Sequence, residues 1–334
     1  MISNFNEVEK SLKRCLKEKV SITTATVVGF LIAGTVAFGT NYTNNNFVVD
    51  GKGSSNNGLE IKEESKLEGV VYEYKKTNGD TIQRLIKITK GTTLDEKTEL
   101  STGENLTLLD IVGEDPNNTT SVTNNGILIN KATGGGRSVV GVNAFYGDTS
   151  FVNNGTITRG KGTAIDLSAG DGKTATLTNT GTITGMIKSD PNVAGNVVIN
   201  LENKSDIDGE FIFWGKGKRT INIDNNKDEL TITNLATNET FVKAGNKSEI
   251  TLNGNIQSKG TTVEFDDSTL TNNVAIIGNI GISLLNGATG TNTKDGSITV
   301  SGKDAIGVKV DGASTTFTND GIITLKDGVT NGVG

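Results

Sequence analysis

The sequence predicts an all-β chain: a right-handed parallel β-helix (a solenoid), preceded by an N-terminal signal helix and a β-rich cap. Three observations predict it. One short pattern of residues recurs at spacings in the twenties, Asn-Gly corners separate its apolar runs, and nothing beyond the leader has helical periodicity.

The pattern is clearest from Asp304 to Thr324. An alternating run at Ile306-Gly307-Val308-Lys309-Val310 meets a Gly turn and a second alternating run, and Asn319-Asp320-Gly321 makes a corner before Ile322. Looser copies follow Val139-Val140-Gly141-Val142, ending at Asn153-Asn154-Gly155, and Ala164-Ile165-Asp166-Leu167, ending at Asn179-Thr180-Gly181. An earlier corner stands at Asn124-Asn125-Gly126. Gly126 to Gly155 is 29 residues, Gly155 to Gly181 is 26, and Gly296 to Gly321 is 25. Such periods mean stacked turns, each too thin to bury its own apolar face.

Parallel strands need a crossover, normally a helix. Winding the chain around its own core removes that need, because each strand pairs with its equivalent one turn later. At roughly 20–25 residues per turn the repeats make about nine to eleven turns, spaced about 4.8 Å apart. The corner glycines are expected at positive φ, where Gly carries no steric penalty. The Asn before each can bond its own backbone and stack into ladders along the axis. Leu177 and Ile183, like Phe317 and Ile323, are expected to point inward on alternate positions.

Taken in order, residues 1–39 read as an extended signal peptide. Lys10, Lys13, Arg14, Lys17 and Lys19 outnumber Glu7, Glu9 and Glu18, and Val20 to Phe38 carry no charge. Ala37-Phe38-Gly39 puts small residues at the −3 and −1 positions of a cleavage site. An uncleaved membrane anchor is the alternative, since the uncharged run is about long enough to span a bilayer. The only cysteine, Cys15, precedes the apolar run, so the mature chain has no thiol chemistry.

Residues 40–116 are expected to form a linker and a β-cap. Asn41 to Gly58 is rich in Asn, Ser and Gly, and a dense charge mixture follows, from Lys62 and Glu63 to Lys75 and Lys76. Asn78-Gly79-Asp80, between Val70–Tyr74 and Ile82–Ile88, reads as a hairpin turn. Residues 117–334 are the repeats, less regular over 190–290, where Val197–Leu201, Thr220–Ile223, Leu230–Ile232 and Glu249–Leu252 read as short strands. Val329 to Gly334 looks like the opening of a further repeat, so the chain is expected to be the N-terminal part of a longer protein.

Composition narrows the function. Gly is high at 43 and Pro low at 2, aromatics are 5%, and the net charge of −6 argues against a nucleic-acid partner held through phosphates. The chain has no histidine, which removes His-based triads and most zinc sites. Gly170-Asp171-Gly172-Lys173-Thr174 imitates a phosphate loop, but the first Gly such a loop requires is Leu167. Asp206, Asp208 and Glu210 could line a calcium site, but a solvated turn is the better explanation of them. Asp266, Asp267 and Asp304 could be carboxylates of a polysaccharide-cleaving enzyme, but each sits where a corner is expected. Trp214, the only indole, suits packing at the end of a turn more than a ligand platform. No residue is assigned a catalytic, cofactor-binding or metal-ligating role, and no cofactor is expected.

The long basic leader, with Val8-Glu9-Lys10-Ser11-Leu12-Lys13-Arg14, joined to Asn-Asn-Gly-Thr-Ile-Thr repeats, resembles the N-terminal part of a Gram-negative autotransporter (type V secretion) passenger of the adhesin type. The resemblance implies export by the inner-membrane machinery, then passage through an outer-membrane barrel in the missing C-terminal part, and a place on the cell surface. It implies a non-enzymatic adhesin or adhesin stalk whose receptor, on a host or bacterial surface, is not specified. A carbohydrate-active β-helix enzyme and a structural surface-layer protein remain the alternatives.

Overall fold

The computed structural model describes residues 40–51, 56–134, 136–202, 205–223, 231–232, 240–258, 260–326 and 328–334. The expected signal helix and Cys15 lie outside the described residues. From Thr40 onward the chain is a parallel β-solenoid of about ten turns, with no helix among the described residues.

Three faces form its walls. The first stacks twelve strands, from Thr40–Tyr42 through Thr120–Asn124, Thr149–Asn153, Thr174–Asn179 and Asn196–Leu201 to Thr316–Asn319. The second runs from Asn57–Ile61 through Arg84–Ile88, Thr107–Val112 and Val140–Ala144 to Ile306–Asp311. The third runs from Val71–Tyr74 through Glu99–Thr102 and Ile127–Asn130 to Thr231–Ile232, and resumes from Ile256–Gln257 to Ile322–Leu325. Two long strands, Thr156–Ala169 and Thr182–Ser189, turn a corner without a break and serve the third and second faces together. Register offsets between turns vary from 19 residues (Val263↔Ile282) to 31 (Gly217↔Ser248). The strands keep their register and the corners absorb the difference.

Alternation puts every second side chain inside. On the second face Leu109, Val140, Ile165, Ile187, Phe211 and Val242 stack turn upon turn, all fully buried. On the first face Val122, Phe151, Leu177, Ile199 and Ile221 do the same. Each such side chain contributes about 1.5–3 kcal/mol by burial. The core is one mostly aliphatic column per inward position, with a phenylalanine such as Phe151 or Phe211 set among the Leu, Ile and Val side chains. Leu177 and Ile183 are buried as expected, while Phe317 and Ile323 pack against the core but stay half-buried.

The structure changes the reading of 40–116. Thr40–Tyr42 already pairs with Ser65–Leu67, and Phe47 is buried between the rings of Tyr42 and Tyr72, at 6.4 and 5.3 Å. The expected linker and cap are therefore built as turns on the same faces as the repeats. The hairpin expected at Asn78-Gly79-Asp80 is a corner instead. Val71–Tyr74 pairs with Glu99–Thr102, and Arg84–Ile88 pairs with Asn57–Ile61 and Thr107–Val112, all in parallel. Gly79 has the positive φ (92°) that a tight turn demands, but a turn residue alone does not say whether the next strand pairs back or changes face. The charge mixture also finds its place: Glu60, Lys87 and Asp110 are aligned on successive turns, so opposite charges face each other along the axis. Lys87 Nζ lies 3.1 Å from Glu60 Oε1 and 2.6 Å from Glu114 Oε1.

The corner glycines are required for a different reason from the one expected. Gly126, Gly155, Gly181 and Gly321 do not have positive φ. A Cβ on Gly155 would overlap the carbonyl oxygen of Gly126, and one on Gly181 would overlap that of Gly155. Backbone stacks on backbone at this corner, and only Gly fits between turns.

Candidate functional site

The faces are flat, so shape complementary to a ligand arises where corners carry loops. The corner from the third face to the second carries the longest loops in the lower turns. Tyr74, Thr102 and Asn130 occupy equivalent positions there, and Arg159 follows one residue beyond the Ile129↔Thr158 pair. Residues 75–83, and 131–134 with 136–139, lie at this corner outside the strands, and Thr158 to Thr163 bulges out of the strand ladder.

The bulge is encoded in Thr158-Arg159-Gly160-Lys161-Gly162, which breaks the alternation of an otherwise regular strand. Gly160 takes φ +63°. A Cβ on Gly162 would overlap Nε and Cγ of Arg159, so the missing side chain is what lets the arginine lie inward. Arg159 is 4% exposed. Its Nη1 donates to Asn130 Oδ1, its Nη2 reaches Gly134 O at 3.4 Å, and its Nε has no hydrogen-bond partner. Asn130 is held in turn: its Nδ2 donates to Leu106 O at 2.8 Å, and its Oδ1 accepts from the Ala132 N–H at 3.0 Å. Burial lowers the pKa of the Arg159 guanidinium from its ordinary value.

Between residues 131–134 and 136 on one side and the bulge on the other lies a cavity of about 650 Å³. Ile129, Ala132 and Met186 give it apolar wall, Thr133, Thr158 and Thr163 give it hydroxyls, and Lys131 and Arg159 give it positive charge. Among the described residues the lining carries no carboxylate.

The residues singled out in the sequence lie elsewhere and are not brought together. The Gly170–Thr174 segment is a corner in which three N–H groups are already used: Gly170 N–H donates to Ala144 O (3.0 Å), Lys173 N–H to Gly170 O (3.0 Å) and Thr174 N–H to Asp148 Oδ1 (2.9 Å). Asp206 and Asp208 flank buried Ile207 on one strand, and Glu210 lies 3.7 Å from Lys243 Nζ. Among the described residues no group of three acidic or cysteine side chains could hold a metal. Asp267 and Asp304 have φ of 45° and 53°, the left-handed geometry of a corner, and Asp266 accepts from Asn286 Nδ2 at 3.1 Å. Trp214 is half-buried with its ring over Gly245, where a Cβ would overlap it. Its backbone exchanges hydrogen bonds with Ser189 Oγ at 2.8 and 3.0 Å, which is corner packing.

Sequence reasoning missed Arg159 and Asn130. The available signal was the Arg-Gly-Lys-Gly interruption, which marks a bulge. No family model, curated protein or solved structure matches the chain.

Proposed function

We propose that the chain is the passenger segment of an exported surface protein of the autotransporter type, wound right-handed, and that it works as a non-enzymatic adhesin or adhesin stalk. The observation that carries this reading is the ten-turn parallel solenoid itself, preceded in sequence by a basic and then apolar leader. A thin aliphatic core held by backbone ladders needs neither disulfides nor metals, which suits a chain that crosses membranes unfolded and folds outside. The inner-membrane export machinery, an outer-membrane barrel and a surface receptor are the partners that follow from it, at the surface of a Gram-negative cell.

The test is adhesion of cells that express the gene with and without residues 117–334. Loss of cell binding on deletion, with export intact, supports the reading. Retention of the undeleted protein in the cytoplasm contradicts it.

A further inference from the structure

We propose that the cavity beside Arg159 is a binding site for a small organic carboxylate, the acid group of a sugar acid, which pairs with the guanidinium. This goes beyond adhesion and holds for the protein free in solution.

The argument is a comparison of three arginines. Arg84 Nε is paired with Asp110. Arg219 is fully buried and has no carboxylate beside it, but its guanidinium donates to the carbonyls of Gly195 (2.7 Å), Trp214 (3.0 Å), Lys216 (3.3 Å) and Lys218 (3.4 Å). It is a plug: both its terminal nitrogens are held by the backbone of its corner, although its Nε, like that of Arg159, has no hydrogen-bond partner. Arg159 is buried too, at 4% exposed, yet among the described residues it has one side-chain acceptor and one long carbonyl contact, and it borders open space. A buried guanidinium without an anion is costly, and removing the charge would be cheaper than keeping it. A ligand anion supplies what the chain does not.

The lining selects the class. A planar guanidinium fork matches a carboxylate, and one such group with Lys131 suits a single negative charge. The volume of about 650 Å³ lies within the range of roughly 300–1,000 Å³ typical of small-molecule sites. Ile129 and Met186 offer the apolar wall that the C–H face of a sugar ring packs on, and the threonines offer hydroxyls to its ring substituents.

The experiment is calorimetric titration of the full chain with glucuronate, with glucose as the neutral control, and with a disaccharide that ends in glucuronate. Saturable binding of either acid, at least about tenfold tighter than glucose, supports the site, and the tighter of the two names its source. Two variants locate it. Arg159→Met removes the charge and is expected to abolish binding without lowering the thermal midpoint. Gly136→Phe fills the cavity from a position where a Cβ meets nothing within 4 Å, and is expected to abolish binding with Arg159 in place. Equal response to glucuronate and glucose overturns the proposal, as does acid binding that survives either variant.

Discussion

Asn153 Nδ2 donates to Asn179 Oδ1 at 2.7 Å, one full turn up the solenoid, with both side chains wholly buried. Below it Asn124 Nδ2 donates to Asn153 Oδ1 at 2.8 Å, so three amides form one column inside the corner. Each also donates to the carbonyl of the Gly two residues on, at 3.3, 3.3 and 2.8 Å. The column stops where Leu201 and Ile223 take the same position, and a new one runs through Asn272, Asn292 and Asn319. Across the interval a second ladder runs on the outer side: Asn222 donates to Asn200 at 2.8 Å, Asn253 to Asn222 at 2.9 Å and Asn273 to Asn253 at 3.3 Å. The outer ladder starts one turn above Asn179, where Asn200 Nδ2 donates to Thr178 Oγ1 at 3.3 Å.

The inner ladder gives the first prediction. Asn153→Ala strands the buried amide groups of Asn124 and Asn179, and is expected to destabilise by about 2–3 kcal/mol in urea denaturation. Asn319→Ala, where the amide is exposed, is expected to cost under about 1 kcal/mol. Equal costs would mean that the buried ladder contributes nothing special.

The corner glycines give the second. Gly155→Ala forces a methyl group into the carbonyl of Gly126 and is expected to cost about 3 kcal/mol. Gly134→Ala, which meets nothing within 4 Å, should change stability by less than about 0.5 kcal/mol. Thermal melts of the two variants decide between steric exclusion and mere chain flexibility as the reason for these glycines.

Asp166 gives the third. Burial pushes its carboxyl up, Lys188 Nζ at 3.1 Å offsets this only in part, and Oδ1 has no hydrogen-bond partner. A carboxyl whose folded pKa is raised contributes fully below the ordinary value of 3.8 and loses that contribution as pH rises through its folded value. Asp166→Asn is therefore expected to gain stability relative to the parent as pH climbs from about 4 to about 7. A difference that is flat or falls across that window would show that the carboxylate is well accommodated.

The fourth concerns Arg219, whose burial lowers its pKa to about 10. Arg219→Met leaves four corner carbonyls without this donor, and a loss of about 2–4 kcal/mol is expected. Arg159→Met removes one of two donors to Asn130 Oδ1, which keeps the Ala132 N–H, and is expected to leave stability unchanged. Chemical denaturation of the pair tests whether the two buried arginines have different jobs.

Much of this fold was legible because its signals are local. Asn124, Asn153 and Asn179 announce a corner each time, and Leu177 and Ile183 take the side that alternation assigns. What was not legible depends on the neighbouring turn. Gly155 looks like a residue chosen for its φ until Gly126 is placed beneath it. Asn78-Gly79-Asp80 looks like a hairpin because sequence cannot say whether Arg84 pairs backward with Val71–Tyr74 or upward with Thr107. The charges of 59–115 look like a polar cap until Glu60, Lys87 and Asp110 are seen to be in register. Arg159 was hidden for the same reason: its burial comes from Gly162 and from the loop of the turn before, 29 residues from Asn130.

The most direct measurement is protease treatment of intact cells expressing the protein, read with an antibody raised against residues 120–290. The account predicts that the epitope is removed while a cytoplasmic marker survives. An epitope that resists protease until the cells are lysed would contradict surface display, and with it the passenger reading.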